Sequence, residues 1–561
     1  MKLLVATGVV CLAGAASAGG LLLPGAGAIS TARAGASVAA ADDGEALALN
    51  PAGLAQAASG TFIQLGISTI DYFMSFRRNG SYDPIAEEAL PYEGTRYPTV
   101  TNNPSPPLGF GSWQPVPVIA VVTDFGGAVK GLTAAFGLYA PNAYPFRDMN
   151  TVNGKPFFVP NDSGSYDFPT SYENAPPPTR YDVIHEEAAI ILPSVAAAYK
   201  VLPGKLDVGG RLSAGTANLK STVAVWGLPG NYEEWVKQDG SFTLDAKGFV
   251  WNAQLGANFH ATPNIDIAAT YTAPIFIHAK GTAISVNGPA VNLMGNQVVV
   301  TPYNNNCDGG AGTAAKLHGC VDVEIPMTAQ IAGRYKFLDE SGALKGDLEL
   351  DLGWEHWGAG CDYASDPTCL DPSDFHVTID AQVGTVMNPN GIPLKPQLVA
   401  HGLRDTYSAR LGGSWSFPVG NNAVVARGGV GYDSAAAKTG WERADLDGAA
   451  RTMIAAGASY KMKQLQLDAG FGVILEGTRT DPRTCNPSGG VGGMGCAGTP
   501  GYTGGTPGQD NPADLRHGPD PINPIVTSGL GGPNVQAENP VNEGTFKSHY
   551  LFVLLGASYH F

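Results

Sequence analysis

Asp347-Leu348-Glu349-Leu350-Asp351-Leu352-Gly353-Trp354-Glu355 decides the fold. In an extended chain Leu348, Leu350, Leu352 and Trp354 point one way, and Asp347, Glu349, Asp351, Gly353 and Glu355 the other. This predicts a strand with one apolar and one strongly polar face. The pattern recurs. Leu465, Leu467, Ala469, Phe471 and Val473 oppose Gln464, Gln466, Asp468, Gly470 and Gly472. Trp251, Ala253, Leu255, Ala257 and Phe259 oppose Asn252, Gln254, Gly256, Asn258 and His260. Tyr407, Ala409, Leu411, Gly413 and Trp415 oppose Thr406, Ser408, Arg410, Gly412 and Ser414. Fourteen such segments start near Thr61, Pro115, Gly131, Glu187, Lys205, Ala246, Asn264, Asp322, Gly346, Leu403, Ala423, Thr452, Gln464 and Thr545.

The links between them alternate in length. Asn79 to Ser112 is long, Asp124 to Lys130 short, Pro141 to Glu186 long, Leu202 to Gly204 short. The alternation continues to the long link from Gly477 to Gly544. An even strand count with long and short links in turn describes a transmembrane β-barrel, short turns toward the periplasm and long loops outside. A secreted sandwich or propeller tolerates alternating strands but does not predict one-sided loop lengths. The last strand places Leu551, Val553, Leu555, Ala557, Tyr559 and Phe561 on one face, and a terminal aromatic there resembles the carboxyl-terminal signature of bacterial outer-membrane barrels.

Composition agrees. Gly makes up 74 of the 561 residues, and only 15% are charged, against a usual ~25%. The hydrophobic fraction is 44%, with no run of ~20 apolar residues such as a polytopic helical membrane protein needs. The formal net charge of −16 and the lack of a basic tract argue against nucleic acid as a partner. The 21 Tyr, 21 Phe and 8 Trp argue against disorder.

At the start, Lys2, the apolar stretch Leu3 to Gly14, and Ala16-Ser17-Ala18 read as a secretory signal peptide over residues 1–18. Six cysteines follow as three close pairs: Cys307 and Cys320, Cys361 and Cys369, Cys485 and Cys496. In an exported chain they predict local disulfides at the cell surface. Zinc is the alternative, but no pair is Cys-x-x-Cys, and His318 and His356 form no repeated ligand pattern.

Residues 19–60 are rich in Ala and Gly and not strand-like. Asp42 and Asp43 are placed to cap a short helix from Gly44 to Leu49, and Asn50-Pro51 is a turn. Here a family resemblance appears. Arg33-Ala34-Gly35, Ala41-Asp42-Asp43 and Asn50-Pro51-Ala52-Gly53-Leu54-Ala55 resemble the hatch of the long-chain fatty-acid outer-membrane transporters (FadL type), a family that includes aromatic-hydrocarbon transporters. Leu192-Pro193-Ser194-Val195 resembles that family's fourth strand. Gly333-Arg334-Tyr335 and Trp354-Glu355-His356-Trp357 resemble its eighth and ninth, and Asp405-Thr406 and Arg427-Gly428-Gly429 its tenth and eleventh.

The resemblance implies an all-β, fourteen-stranded antiparallel barrel over residues 61–561, its lumen plugged by a hatch over 19–60. It implies diffusive uptake of a hydrophobic ligand through an apolar pocket, with lateral exit at a kinked third strand and no chemistry. Gly137 and Pro141 are the candidate points of lost ladder bonds. Leu21, Leu22 and Leu23 are candidates to line or plug the pocket. Arg211, Arg334, Arg410 and Arg427 fall on polar faces with Glu349, Asp351 and Glu355. Arg410 and Arg427 are the candidate carboxylate partners, mutual pairing or pairing with the hatch being the alternative. Arg33, Asp42, Asp43, Asn50, Pro51 and Ala52 make up the hatch motif. No cofactor or metal is expected. The expected partners are a fatty acid or hydrocarbon, outer-membrane lipid and lipopolysaccharide, around a monomer whose termini both face the periplasm. Rival functions are hydrocarbon import, an adhesion barrel, a general porin, or an enzyme, for which no Gly-x-Ser-x-Gly motif appears.

Overall fold

The computed structural model describes residues 21–57, 59–78, 82, 89–106, 108–141, 143–225, 236–290, 292–293, 296–305, 307, 312–359, 371–399, 401–437, 442–446, 448–480 and 544–561. The expected signal peptide and Cys361, Cys369, Cys485 and Cys496 lie outside them.

Fourteen antiparallel strands form a closed barrel. They are β1 (Thr61–Arg78), β2 (Gln114–Thr123), β3 (Leu132–Tyr139), β4 (His185–Leu202), β5 (Leu206–Val225) and β6 (Gly240–Thr262). β7 has two arms, Ile265–Thr272 and Ile275–Asn287, and so has β8, Leu317–Ile325 and Thr328–Leu338. Then come β9 (Leu344–Glu355), β10 (Thr406–Val419), β11 (Asn422–Asp433), β12 (Arg451–Lys461), β13 (Leu465–Thr480) and β14 (Gly544–His560). Each pairs with its sequence neighbours. β14 closes the ring on β1, from Phe62 opposite His560 to Arg78 opposite Gly544. Closure leaves no unpaired sheet edge, the requirement for backbone in a bilayer. β6 has 23 residues, about twice what a tilted strand needs to cross, so it carries the wall beyond the membrane at the end of the long links.

The two faces separate as the alternation demands. Leu348, Leu350 and Leu352 are exposed on the outside, with Leu212, Phe249, Trp251 and Leu255. Asp347, Glu349 and Asp351 are buried inside. Burying three carboxylates needs partners, and residues 21–57 supply several of them. This segment lies within the ring and touches strands all round it. It holds two short helices, α1 (Ala28–Thr31) and α2 (Ala46–Leu49), and a 3₁₀ turn at Pro51–Gln56. α2 starts two residues later than the sequence suggests, and no side chain caps it; Asp43 instead accepts the Glu45 N–H at 2.7 Å.

Many glycines are explained by this contact. A β-carbon on Gly429 would lie 2.2 Å from the Arg33 carbonyl oxygen, and one on Gly209 2.4 Å from the Ala52 nitrogen. The wall admits the segment's backbone only where side chains are absent. At the loop end, Cys307 and Cys320 form a disulfide, with Cα atoms 5.6 Å apart.

Candidate functional site

The segment is held by side chains of three wall strands. On β9, Asp347 accepts Arg33 Nη1 at 2.8 Å and Glu349 accepts Nη2 at 3.1 Å. Glu349 also accepts the Ala39 N–H at 2.6 Å, and Asp351 those of Ser37 and Val38 at 2.9 and 3.1 Å. The acidic face that marks the strand in sequence is therefore a cradle for residues 33–39. Arg334 on β8 bridges Asp347 at 2.7 Å to Asp42 at 3.3 Å. On β6, Asn258 accepts the Asn50 side-chain N–H at 2.7 Å. Asn50 also donates to the Val38 carbonyl at 2.8 Å and caps the turn by accepting the Ala52 N–H at 3.1 Å. Pro51 suits the first position of that turn, where no N–H is needed.

Glu45, which sequence reasoning does not single out, ties the segment to itself. Its carboxylate accepts the N–H groups of Ile29 and Ser30 at the start of α1, both at 2.8 Å. Burial raises its pKa, and those bonds pull against the rise. Burial also lifts the Asp43 carboxyl well above the usual range, with Glu45 and then Asp42 adding to it.

Leu21 to Leu23 sit where three apolar clusters meet. Leu23 is buried among Tyr72, Tyr144, Met453, Phe546 and Tyr550 on the β1, β12 and β14 side. Leu22 packs against the β2–β8 cluster, which includes Tyr139, Leu192, Ile275, Ile277 and Val321. Leu21 and Leu22 both pack against a loop cluster of Trp357, Leu403, Ala436, Ala437 and Leu446. Two of the family-like stretches position that cluster. Asp405 accepts Trp354 Nε1 at 2.8 Å and contacts His356 Nδ1 at 3.0 Å, while Glu355 accepts Trp357 Nε1 at 2.6 Å and the Thr406 hydroxyl at 3.2 Å.

The third strand is interrupted, but not at Gly137. That residue is paired on both sides, with Ala120 and Ser194, and its missing side chain makes room for Leu47 of α2. The interruption lies after Tyr139. The ladder with β4 resumes only at Phe146–Asp148, where Phe146 faces Glu187. Among the described residues Ala188 to Ile191 thus lack ladder partners on that side, although the Ala188 N–H reaches the Pro145 carbonyl at 3.2 Å. Pro141 falls in the gap and cannot donate a ladder bond.

The lumen arginines have partners within the chain. Arg410 meets Asp433 at 2.6 Å, so its charge is compensated within the chain. Arg427 donates to Ser459, whose hydroxyl passes on to Asp468. Arg211 instead donates to the carbonyls of Leu47 and Ala48 at 3.0 and 3.2 Å.

A buried charge cluster staples three long links at the loop end. Arg443 bonds Asp182 at 2.6 Å and Asp445 at 3.1 Å, and His401 Nε2 meets Asp445 at 3.1 Å. Burial pushes the Asp182 carboxyl up to about 7, Arg443 pulling against it and Asp445 adding. Asp445 is buried too, but Arg443 and His401 hold it below the usual range. Among the described residues no group of His, Cys, Asp and Glu has the arrangement of a metal site.

Residues 9–481 match the family model described as outer membrane protein transport protein (OMPP1/FadL/TodX). No curated protein matches the chain. Solved structures similar to it include a Pseudomonas aeruginosa FadL homologue, at 13% identity and TM-score 0.59 over 97% of this chain and 100% of that one. The P. putida toluene transporter TodX and the Ralstonia pickettii toluene transporter TbuX each give 13% identity and TM-score 0.53 over 96% of this chain and 99% of theirs.

Proposed function

The chain belongs to the OMPP1/FadL/TodX family of outer-membrane transport proteins for hydrophobic compounds, and on that premise we propose that it is a passive uptake channel for long-chain fatty acids. The ligand passes the long loops and settles where Leu21, Leu22 and Leu23 now fill the junction of three apolar clusters. It displaces them, and residues 19–60 act as a hatch that shifts between two states. The ligand then leaves sideways through the gap between Tyr139 and Phe146, into lipid rather than water. The convergence on the three leucines carries this reading, because an apolar solute can replace their side chains in the three clusters.

A second reading rests on one observation. Tyr72, Phe76, Tyr144, Phe546 and Tyr550 line one side of the junction, a surface that also suits an aromatic hydrocarbon. Both readings place a monomer in the outer membrane, among lipid and lipopolysaccharide, with both termini in the periplasm. Equilibrium binding of labelled oleate to the purified chain and to Leu22→Asn/Leu23→Asn tests the pocket. The reading expects at least tenfold weaker binding by the variant; equal affinities would remove the pocket from this place.

A further inference from the structure

The wall is interrupted a second time, between β6 and β7. Toward the short turns Gln254 pairs with Thr272, and toward the loops Lys247 pairs with Lys280, with the register shifted by one residue between them. Among the described residues no ladder pair joins residues 248–253 to residues 273–279. The β10–β11 ladder, by contrast, runs unbroken from Ser408 opposite Asp433 to Val419 opposite Asn422. Pro274 has no N–H to give, and Pro326 interrupts β8 at the same level, between the pairs Thr272–Thr328 and Ile275–Ile325. The two strands still touch, since a β-carbon on Gly248 would lie 2.6 Å from the His278 carbonyl oxygen. At the other edge a side chain stands in for the ladder: Asn252 Nδ2 donates to the Ala273 carbonyl at 2.6 Å, beside the Ala273 N–H that reaches the Ala253 carbonyl at 2.9 Å.

This seam has apolar side chains on both faces. Inward, Val250, Ile275 and Ile277 are buried in the β2–β8 cluster against which Leu22 packs. Outward, Phe249, Trp251 and Phe276 are 69%, 59% and 60% exposed. The outward side chains of β6 are apolar from Phe259 to Phe249, the ~9–11 residues with which a tilted strand crosses a bilayer, and turn charged at Lys247 and Asp245. The seam therefore lies in the half of the hydrocarbon next to the long loops, which is the outer leaflet. β4, β5 and β6 lie between it and the gap after Tyr139. Parting two laddered strands in lipid leaves backbone groups that nothing there satisfies; at this seam there is no ladder to break.

We propose that the β6–β7 seam is a second doorway in the wall, through which apolar solute dissolved in the outer leaflet enters the β2–β8 cluster without crossing the long loops. This rests on the uptake reading of that cluster and goes beyond it by adding an entrance from the membrane side. The seam has two states: closed, with Asn252 on the Ala273 carbonyl, and parted, with solute between the rims that carry Trp251 and Phe276. Solute taken up this way passes from lipid to apolar protein without returning to water.

The test uses the purified full chain in phospholipid bilayers that contain a photoreactive fatty acid, with and without excess oleate. Phe471, exposed on the outer face of β13, reports ordinary contact with lipid. In wild type the outward-facing Phe249 and Phe276 should be labelled about fivefold more than Phe471, a modest preference of the seam over bulk lipid, and excess oleate should bring them down to its level. Gly248→Ala, whose added methyl meets the His278 carbonyl, should disfavour the closed state and raise the label at both residues while Phe471 stays as it was. The wild-type comparison needs no variant to fold. Equal label at all three residues, unmoved by oleate, would overturn the doorway, and so would unchanged label in a folded Gly248→Ala. With the doorway overturned, oleate-sensitive label at residues 140–145 and 188–191 would spare the uptake reading; oleate-sensitive label nowhere would bring down both.

Discussion

Asn50 of the N-terminal segment and Gly256 of β6 touch so closely that a β-carbon on Gly256 would lie 2.0 Å from Asn50 Oδ1. The same oxygen caps the Pro51–Gln56 turn, so the wall glycine and the turn residue define each other's position. Gly256→Ala should displace the turn at a cost of about 1–3 kcal/mol, the usual penalty for overpacking. Single-channel recording should show frequent openings in this variant and a quiet trace in wild type.

Arg33 holds two buried carboxylates, Asp347 and Glu349. Arg33→Ala leaves them short of their counter-charge, an effect of about 3–5 kcal/mol for a broken buried pair. Asp347 keeps Arg334 and Ser414, so the barrel itself should still fold. Heat-modifiability on gels should show a folded barrel, and limited proteolysis should cut residues 21–57 at least tenfold faster than in wild type.

The loop-end cluster predicts a pH dependence. Asp182 titrates near 7 in the folded chain and near 4 when unfolded, so its contribution to stability is full below pH ~4 and lost as pH rises through about 7. Asp445 has the opposite sign, but its contribution is lost only as pH falls below ~4. Between pH 4 and 7 Asp182 therefore contributes a slope of up to about 1.4 kcal/mol per pH unit. Thermal unfolding across that window should show the decline in wild type and a flatter profile in Asp182→Asn.

The β3 gap makes a positional prediction. A photoreactive fatty acid irradiated on the folded chain should label residues 140–145 and 188–191, the two sides of the interruption. Labelling confined to the short-turn end would instead indicate passage straight through the barrel.

Much of this was legible before any coordinates. The alternation in Asp347–Glu355 settles both strand and lumen face, and strand starts read from such runs lie close to those found except at Ala246 and Asp322, where the strands begin earlier, at Gly240 and Leu317. Local turn chemistry at Asn50-Pro51 is readable because the capping oxygen lies two residues from the N–H that donates to it. What stayed hidden depends on ring closure. Arg410 meets Asp433 through β10–β11 register, and Arg211 meets Leu47 from 164 residues away. Gly137, four residues before Pro141, reads as a break, whereas it is paired on both sides and a β-carbon there would meet the Ile119 carbonyl oxygen and Leu47. Asp182, His401, Arg443 and Asp445 come from three loops with no periodicity to align them.

The central claim is that this chain carries hydrophobic molecules through the outer membrane. Its most direct test is labelled oleate uptake, with toluene in parallel, by a bacterium that lacks its own outer-membrane route for both and expresses this chain. The account predicts oleate accumulation that depends on the chain and falls when Leu22 and Leu23 become Asn. Entry of neither compound, with the folded barrel present at the cell surface, would contradict it.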